Sequence, residues 1–337
     1  MTPFQDIDAL CAELDVAQWA VLKPHDVPLD YLRTAYSHWL DAGNGGALKY
    51  IDDRLEIICD PFGHRPWAKS AIVIAFRPKL IADSPLRQLP PPETDGPLAT
   101  IAEYALNEDY HITGQRILKE LANALGEHHF ECCVDSSPVP EKELLRLAGI
   151  GATDTPNSLA RVSGCGCRTH IGVLFTSMDL PSCIRDEAPQ CGDCHRCLTI
   201  CPNKAMTGEG TIRVRQCRSW LASEWHGPLS QEQQFMLRNT LFGCSLCSCC
   251  CPDDRHGCHD LRVNPLAIME MPTAVLRRIT ATTPISHISP SILKRNAAAA
   301  LFTQCPASER PALIEKLLPM SASPTVRDTI AVWHKST

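Results

Sequence analysis

No stretch of the sequence approaches the roughly 18 consecutive apolar residues of a membrane helix, so an integral membrane protein is not expected. The first fifteen residues lack the basic start and unbroken apolar core of a secretory leader, and they lack paired arginines. The expected location is therefore the cytoplasm. Positive charge is also not in excess: 32 Lys and Arg stand against 38 Asp and Glu, a formal net charge of −6. That argues against nucleic-acid binding driven by bulk charge, though not against a local basic patch. At 44% hydrophobic and 21% charged residues the chain is not disordered, collagen-like or a disulfide miniprotein. Cysteine is absent between residues 60 and 131.

What is present is more telling. A length of 337 residues suits two or three domains. The 27 prolines point to many loops and short elements. The 19 cysteines, in a reducing compartment, read as metal ligands or reactive thiols rather than disulfides. Twelve of the 19 fall between residues 183 and 258, which marks a distinct central domain.

Before that domain the pattern is mixed. Asp30 is placed to cap a helix over Tyr31 to Ala42, stopped by Gly43. Ala71 to Phe76 reads as a buried strand, residues 83–97 with five prolines as an irregular loop, and Gln115 to Leu125 as a helix closed by Gly126. Phe130 to Val134 and Thr169 to Phe175 are further strand candidates. After the cysteines, helices are expected near 292–303, 309–318 and 324–334. The irregular alternation predicts an α+β fold rather than a doubly wound sheet. The expected blocks are an α+β cofactor and substrate domain over 1–180, a ferredoxin-like domain over 181–262, and a helical region over 263–337.

The strongest signal is Cys191-x2-Cys194-x2-Cys197-x3-Cys201-Pro202. This is the bacterial ferredoxin spacing for [4Fe–4S] clusters. Three thiolates at i, i+3 and i+6 on a tight loop cover three irons of one cubane, and the fourth points away toward a second cluster. A zinc site would rarely need this run and its proline. Cys244-x2-Cys247-x3-Cys251-Pro252 supplies the tail of the same pattern, with Leu241 where a ferredoxin carries its first cysteine. Cys217 is the natural remote substitute. The crossover assignment gives Cys191, Cys194, Cys197 and Cys251 to one cluster and Cys201, Cys217, Cys244 and Cys247 to the other. Within Cys-Ser-Cys-Cys-Cys-Pro, the proline favours Cys251 over Cys249 and Cys250. Cys249, Cys250 and Cys258 otherwise read as small buried filler, as do the scattered cysteines. Cys165-Gly166-Cys167 reads as a glycine-rich turn before it reads as a redox or metal pair. Two clusters make a one-electron relay, and some 180 preceding residues imply a domain fed by it.

Beyond the clusters, the sequence resembles the epoxyqueuosine reductase family nearly end to end. The resemblance rests on Asp60-Pro61, Ala68-Lys69-Ser70-Ala71-Ile72-Val73, Tyr104-Ala105-Leu106, Asp109-Tyr110-His111, Val134-Asp135-Ser136-Ser137-Pro138, Glu141, Ala148-Gly149-Ile150-Gly151, both cluster motifs with Cys217, and Arg295-Asn296-Ala297-Ala298. It implies a nitroreductase-like cobalamin-binding domain and two [4Fe–4S] clusters. It implies reduction of epoxyqueuosine in tRNA to queuosine, with reduced cobalamin as the nucleophile and Asp135 as the proton donor. Tyr104, Tyr110, His111, Ser136 and Ser219 would lie at the cofactor. A low-potential donor of ferredoxin or flavodoxin type and tRNA would be the partners. Read without the family, Asp135 is a turn cap, Tyr104, Tyr110 and His111 are core edge, and Ser219 bonds its own backbone. An aspartate serves as an acid only where burial or a like charge raises its pKa.

The sequence departs from the family at Asp154-Thr155-Pro156, at Val173 where a carboxylate is usual, at Ser245 and Ser248, and at Asp253-Asp254. These are expected to include substrate-side positions, and two acids on an RNA-facing surface are unfavourable. Arg277, Arg278, Lys294 and Arg295 are candidates for a basic patch, although solvated surface charges are the commoner explanation. Two alternatives follow: a cobalamin-dependent reductase of another substrate, or a two-cluster electron-transfer protein.

Overall fold

The computed structural model describes residues 3–43, 49–78, 83–185, 191–254 and 258–336. The chain forms two compact units, each discontinuous in sequence, where the sequence pattern suggested consecutive blocks. The first unit comprises Met1–Pro78, Tyr110–Val214 and Leu246–Gly257, and the second Lys79–Asp109, Arg215–Ser245 and Cys258–Thr337. The α+β class holds.

The first unit is built on an antiparallel sheet of four strands, β1 (Val16–Leu22), β2 (Ser70–Phe76), β4 (Phe130–Cys133) and β5 (His170–Thr176), in the order β1-β2-β5-β4. Every residue of β2 is buried, which is why it reads as an unbroken apolar run. Its side chains alternate between two cores. Ile72, Ile74 and Phe76 meet Ile117, Leu118 and Leu121 of the helix Tyr110–Ala124. Ala71, Val73 and Ala75 join Leu144 and Leu145 of the helix Glu141–Leu147. The helix Tyr110–Ala124 starts earlier than Gln115, so Tyr110 and His111 stand on its first turn.

The second unit holds three short strands, β3 (Ala99–Ile101), β6 (Thr240–Phe242) and β7 (Leu261–Val263), ordered β6-β3-β7. Its centre is the helix Pro290–Gln304. Ser289 caps it by accepting the Ile292 N–H, and Pro290 takes the first position. Ala297 to Ala300 are fully buried, so neighbouring helices approach closely. Arg295 is fully buried too. Its guanidinium donates to the carbonyls of Leu221 at 2.6 Å, Gly227 at 2.8 Å and Trp225, and to Asn296 Oδ1. Burial lowers its pKa to about 9. Asn296 donates to the Ala222 and Leu241 carbonyls at 2.8 and 2.9 Å. The expected basic patch is therefore corrected: Arg295 is an internal clamp, Lys294 donates to the Met269 carbonyl, and Arg277 and Arg278 alone are exposed. No helix among the described residues is long and apolar enough to cross a membrane.

Candidate functional site

In the first unit, the four thiols assigned to the first cluster line one pocket. Cys191, Cys194, Cys197 and Cys251 surround it, with Cys167, Cys247, Cys250, Pro156 and Asn157 on the wall. His195, in left-handed backbone (φ 44°), turns the chain into the short helix Arg196–Ile200. Burial, then the charge of neighbouring thiols, pushes Cys250 up to about 11. Burial raises Cys191 and Cys197 as well. Thiolates so crowded repel one another unless a cation centre binds them, and a metal deprotonates a coordinating thiol outright. The donor set thus fits a [4Fe–4S] cluster.

The wall contains residues that sequence reasoning missed. Asn157 donates to the Cys247 carbonyl at 3.0 Å. The turn at Cys165-Gly166-Cys167 is present as expected, but it stands against the Cys251 loop. Gly166 has φ 60°, and a Cβ there would lie 2.9 Å from Asp254 Cβ and 3.3 Å from Cys251 Sγ. Burial pushes Cys167 up to about 12. The reading of Cys250 as buried filler is corrected, because Cys250 lines the pocket, and Cys258 is exposed rather than buried.

Several departures from the family also land elsewhere than expected. Pro156 belongs to the cysteine pocket, Thr155 is buried, and Val173 is a core residue of β5 paired with Val73 and Cys133. Asp253 and Asp254 do not face solvent as a pair of free acids. The Asp254 side chain is 1% exposed and lies between Arg168 and Arg77, the latter at 3.4 Å. Arg161 reaches Asp253 at 3.2 Å. These acids hold the loop that follows Cys251.

Of the second ligand set, Cys201 and Cys247 belong to the first unit and Cys217 and Cys244 to the second. In the first, the Cys201 sulfur accepts the Ala205 N–H at 3.4 Å, and Cys247 lies at the pocket. In the second, Cys217 precedes the helix Arg218–Ser223 and Cys244 follows β6. Tyr104 is hydrogen-bonded to Ser219 beside Cys217 and Cys244, and burial raises its phenol. Gly243 makes that possible: its φ is 64°, and a Cβ would lie 2.7 Å from the Tyr104 ring. Arg295 and Asn296 fasten both cysteine-bearing segments through Leu221, Ala222 and Leu241. Tyr104 and Ser219 are therefore brought together. Ser136 lies in the first unit, where its hydroxyl bonds the Val134 carbonyl at 3.3 Å.

Asp135 follows β4 in left-handed backbone, φ 55°. The Tyr110 hydroxyl donates to Oδ2 at 2.6 Å, and His111 Nε2 lies 3.4 Å from the same oxygen. His170 stacks on Tyr110 at 4.1 Å and Tyr110 on His111 at 4.2 Å, so three rings back the carboxylate. Its side chain is 63% exposed. The His111 contact, helped by Tyr110, holds Asp135 below the ordinary carboxylate range. This is the opposite of the shift an acid needs. Glu141, at the start of the next helix, is raised to about 8 by burial and by the Asp135 charge. Beyond its place in the resemblance, Glu141 carries no signal of its own in the sequence.

An α+β unit with a four-thiol pocket and an aspartate among stacked rings defines an iron–sulfur protein with an attached reactive domain. Residues 190–254 match the 4Fe-4S double cluster binding domain, and residues 59–136 match Epoxyqueuosine reductase QueG, DUF1730. Curated relatives include epoxyqueuosine reductase of Pseudomonas aeruginosa, 32% identical over 235 residues, covering 68% of this chain and 63% of that protein. The enzyme of Vibrio cholerae is 30% identical over 250 residues, covering 71% and 66%. The matches thus span just under two thirds of these relatives. Epoxyqueuosine reductase of Streptococcus thermophilus superposes with a TM-score of 0.82 at 22% identity, over 98% of this chain and 89% of that one. An epoxyqueuosine reductase solved with a tRNA-Tyr epoxyqueuosine-modified stem loop gives 0.80 at 21%, over 98% and 89%. The fold is that of epoxyqueuosine reductase, and the resemblance read from the sequence stands.

Proposed function

We propose that this protein is a cobalamin-dependent epoxyqueuosine reductase that converts epoxyqueuosine in tRNA to queuosine. One observation carries the reading: a single chain joins the epoxyqueuosine reductase segment, which ends on the Asp135 loop, to a double-cluster segment whose first four thiols line one pocket. The eight cysteines hold two [4Fe–4S] clusters that relay electrons from a low-potential donor of ferredoxin or flavodoxin type. Cobalamin, when bound, supplies a reduced metal centre able to attack the epoxide. Tyr104, Ser136 and Ser219 are the proposed contacts. Tyr104 and Ser219 are supported by their hydrogen bond beside Cys217 and Cys244, and the exposed Ser136 by its place next to Asp135. Asp135 passes a proton to the substrate oxygen, while Tyr110 and His111 hold its carboxylate in place.

The relative solved with a tRNA stem loop supports RNA as the substrate carrier, and a tRNA-modifying role supports a cytoplasmic location. Asp253 and Asp254 no longer count against RNA, because arginines neutralise them internally. Pro156, Thr155 and Val173 lie at the cluster pocket or in the core, so they give no support to a different substrate. The test is to give cluster-replete, cobalamin-replete protein epoxyqueuosine-containing tRNA and a low-potential reductant. Queuosine is the expected product, and its absence sinks the reading. Anaerobic cobalamin titration separates the parts, with binding near one per chain expected.

A further inference from the structure

The pocket of the first cluster holds more thiols than one cubane can bind. Cys191, Cys194, Cys197 and Cys251 offer one thiolate to each iron of a [4Fe–4S] cluster, which completes the ligand set. Cys250 and Cys167 line the same pocket. With no iron left to bind, each keeps its S–H. The Cys250 thiol donates to the Cys247 carbonyl at 3.4 Å, so its proton is committed to the backbone. Cys167 is placed differently. It is buried, and Gly166 brings its turn against the Cys251 loop. Gly166 has φ 60°, and a Cβ there would lie 3.3 Å from Cys251 Sγ. The Cys167 sulfur is hydrogen-bonded to Cys251 and lies 3.9 Å from Asn157 Oδ1. Two acceptors thus compete for one S–H. Asn157 is neutral, and its oxygen already accepts the Leu159 N–H at 3.1 Å. Cys251 carries charge as an iron-bound thiolate, and a charged acceptor makes the stronger bond. Asn157 is itself held in place, because its Nδ2 donates to the Cys247 carbonyl at 3.0 Å.

We propose that Cys167 is a positioning residue of the electron relay, whose S–H donates to the Cys251 sulfur and raises the reduction potential of the first cluster. Reduction adds one negative charge to the cluster and its sulfurs. A donor aimed at one of those sulfurs stabilises that charge and so favours the reduced form. The electron comes from the low-potential donor, the proton stays on Cys167, and no ligand is exchanged. Cys167 acts through Cys251 and binds no iron. A serine could fill this role, and an apolar residue could not. The proposal rests on the cluster part of the reductase reading and not on its substrate.

The test is a redox titration of the reconstituted full-length protein, followed by EPR. Two clusters give two one-electron midpoints. Cys167→Ala is expected to move one of them to more negative potential, by about tenfold in the equilibrium for reduction or about 59 mV, and to leave the other in place. Cys167→Ser keeps a donor and is expected to stay within about twofold of the wild type. After exchange into heavy water, deuterium ENDOR of the reduced protein is expected to show an exchangeable deuteron at the cluster that is missing in Cys167→Ala. Water entering the space left by alanine would stabilise the reduced charge, so an upward shift overturns the proposal. A shift under about twofold in Cys167→Ala, an equal shift in both variants, or an unchanged deuteron signal also overturns it. Loss of the first cluster's iron in Cys167→Ala overturns it as well, because Cys167 is then a ligand. A wild type that takes up no iron sinks the cluster reading together with the proposal. Midpoints as expected in a protein that makes no queuosine sink the reductase reading and leave the hydrogen bond standing.

Discussion

Two glutamates in the first unit sit at the ends of neighbouring elements and behave in opposite ways. Glu127 follows the helix Tyr110–Ala124, and Glu141 begins the helix Glu141–Leu147. The Glu127 carboxylate accepts the N–H groups of His128 and His129 at 2.7 and 2.8 Å, that of Met178 at 3.0 Å, and the hydroxyls of Thr176 and Ser177. Those donors, opposing burial, lower its pKa to about 2. Glu141 meets two backbone donors, a like charge and a dry wall, and rises to about 8. The residue type is the same, and the count of donors decides which form is stable. Asp254 extends the series, because arginines replace amides as its partners.

The largest expected effect is at Asp254. Asp254→Ala removes the acid paired with the partly buried Arg77 and Arg168, and should cost about 3–5 kcal/mol in denaturant unfolding. A loss under 1 kcal/mol would show that arginines are not needed to make a buried acid stable here. Next is Glu127→Ala, which strands several donors and should cost about 2–3 kcal/mol.

The pH dependence sharpens the contrast. Glu127 is depressed, so its contribution is full above about 4.5 and is lost as pH falls toward about 2. Glu141 is raised, so the wild type loses stability relative to Glu141→Gln as pH rises from about 4.5 to about 8, and no further above that. The Glu141 difference should reach roughly 1–3 kcal/mol. Thermal unfolding of Glu127→Gln and Glu141→Gln against pH reads both slopes, and slopes of the same sign would contradict the comparison. The smallest effect is Tyr110→Phe. It removes one donor from Asp135, should shift stability by only about 0.5–1.5 kcal/mol, and should move the Asp135 titration upward by NMR.

Much of this could be read from the residues. Ser70–Phe76 is a strand buried on both faces, and such a strand carries its signal in composition alone. Pro290–Gln304 announces itself through Ser289-Pro290 and the alanine run. The helix Leu29–Asp41 begins one residue before Asp30, with Asp30 in its first turn rather than at the cap. Strands β3, β6 and β7 span three residues each, too few for a periodicity to show. From the sequence Arg295 reads as surface, because arginine is almost never fully buried. Only the carbonyls around it reveal a clamp.

The sequence by itself determined the cluster chemistry. Ligand spacing along a loop is a property of the chain, and Cys191-x2-Cys194-x2-Cys197 needs no fold to be recognised. It also determined which acid stands on the loop after β4, through the residues around Asp135. The tertiary structure alone decided what each charge does. Asp254 became an internal tie, Arg295 a clamp on carbonyls, Asp135 an ionised acceptor and Glu141 a neutral acid. A side chain's protonation and energy depend on the donors, charges and water within a few ångströms, and those neighbours come from distant parts of the sequence.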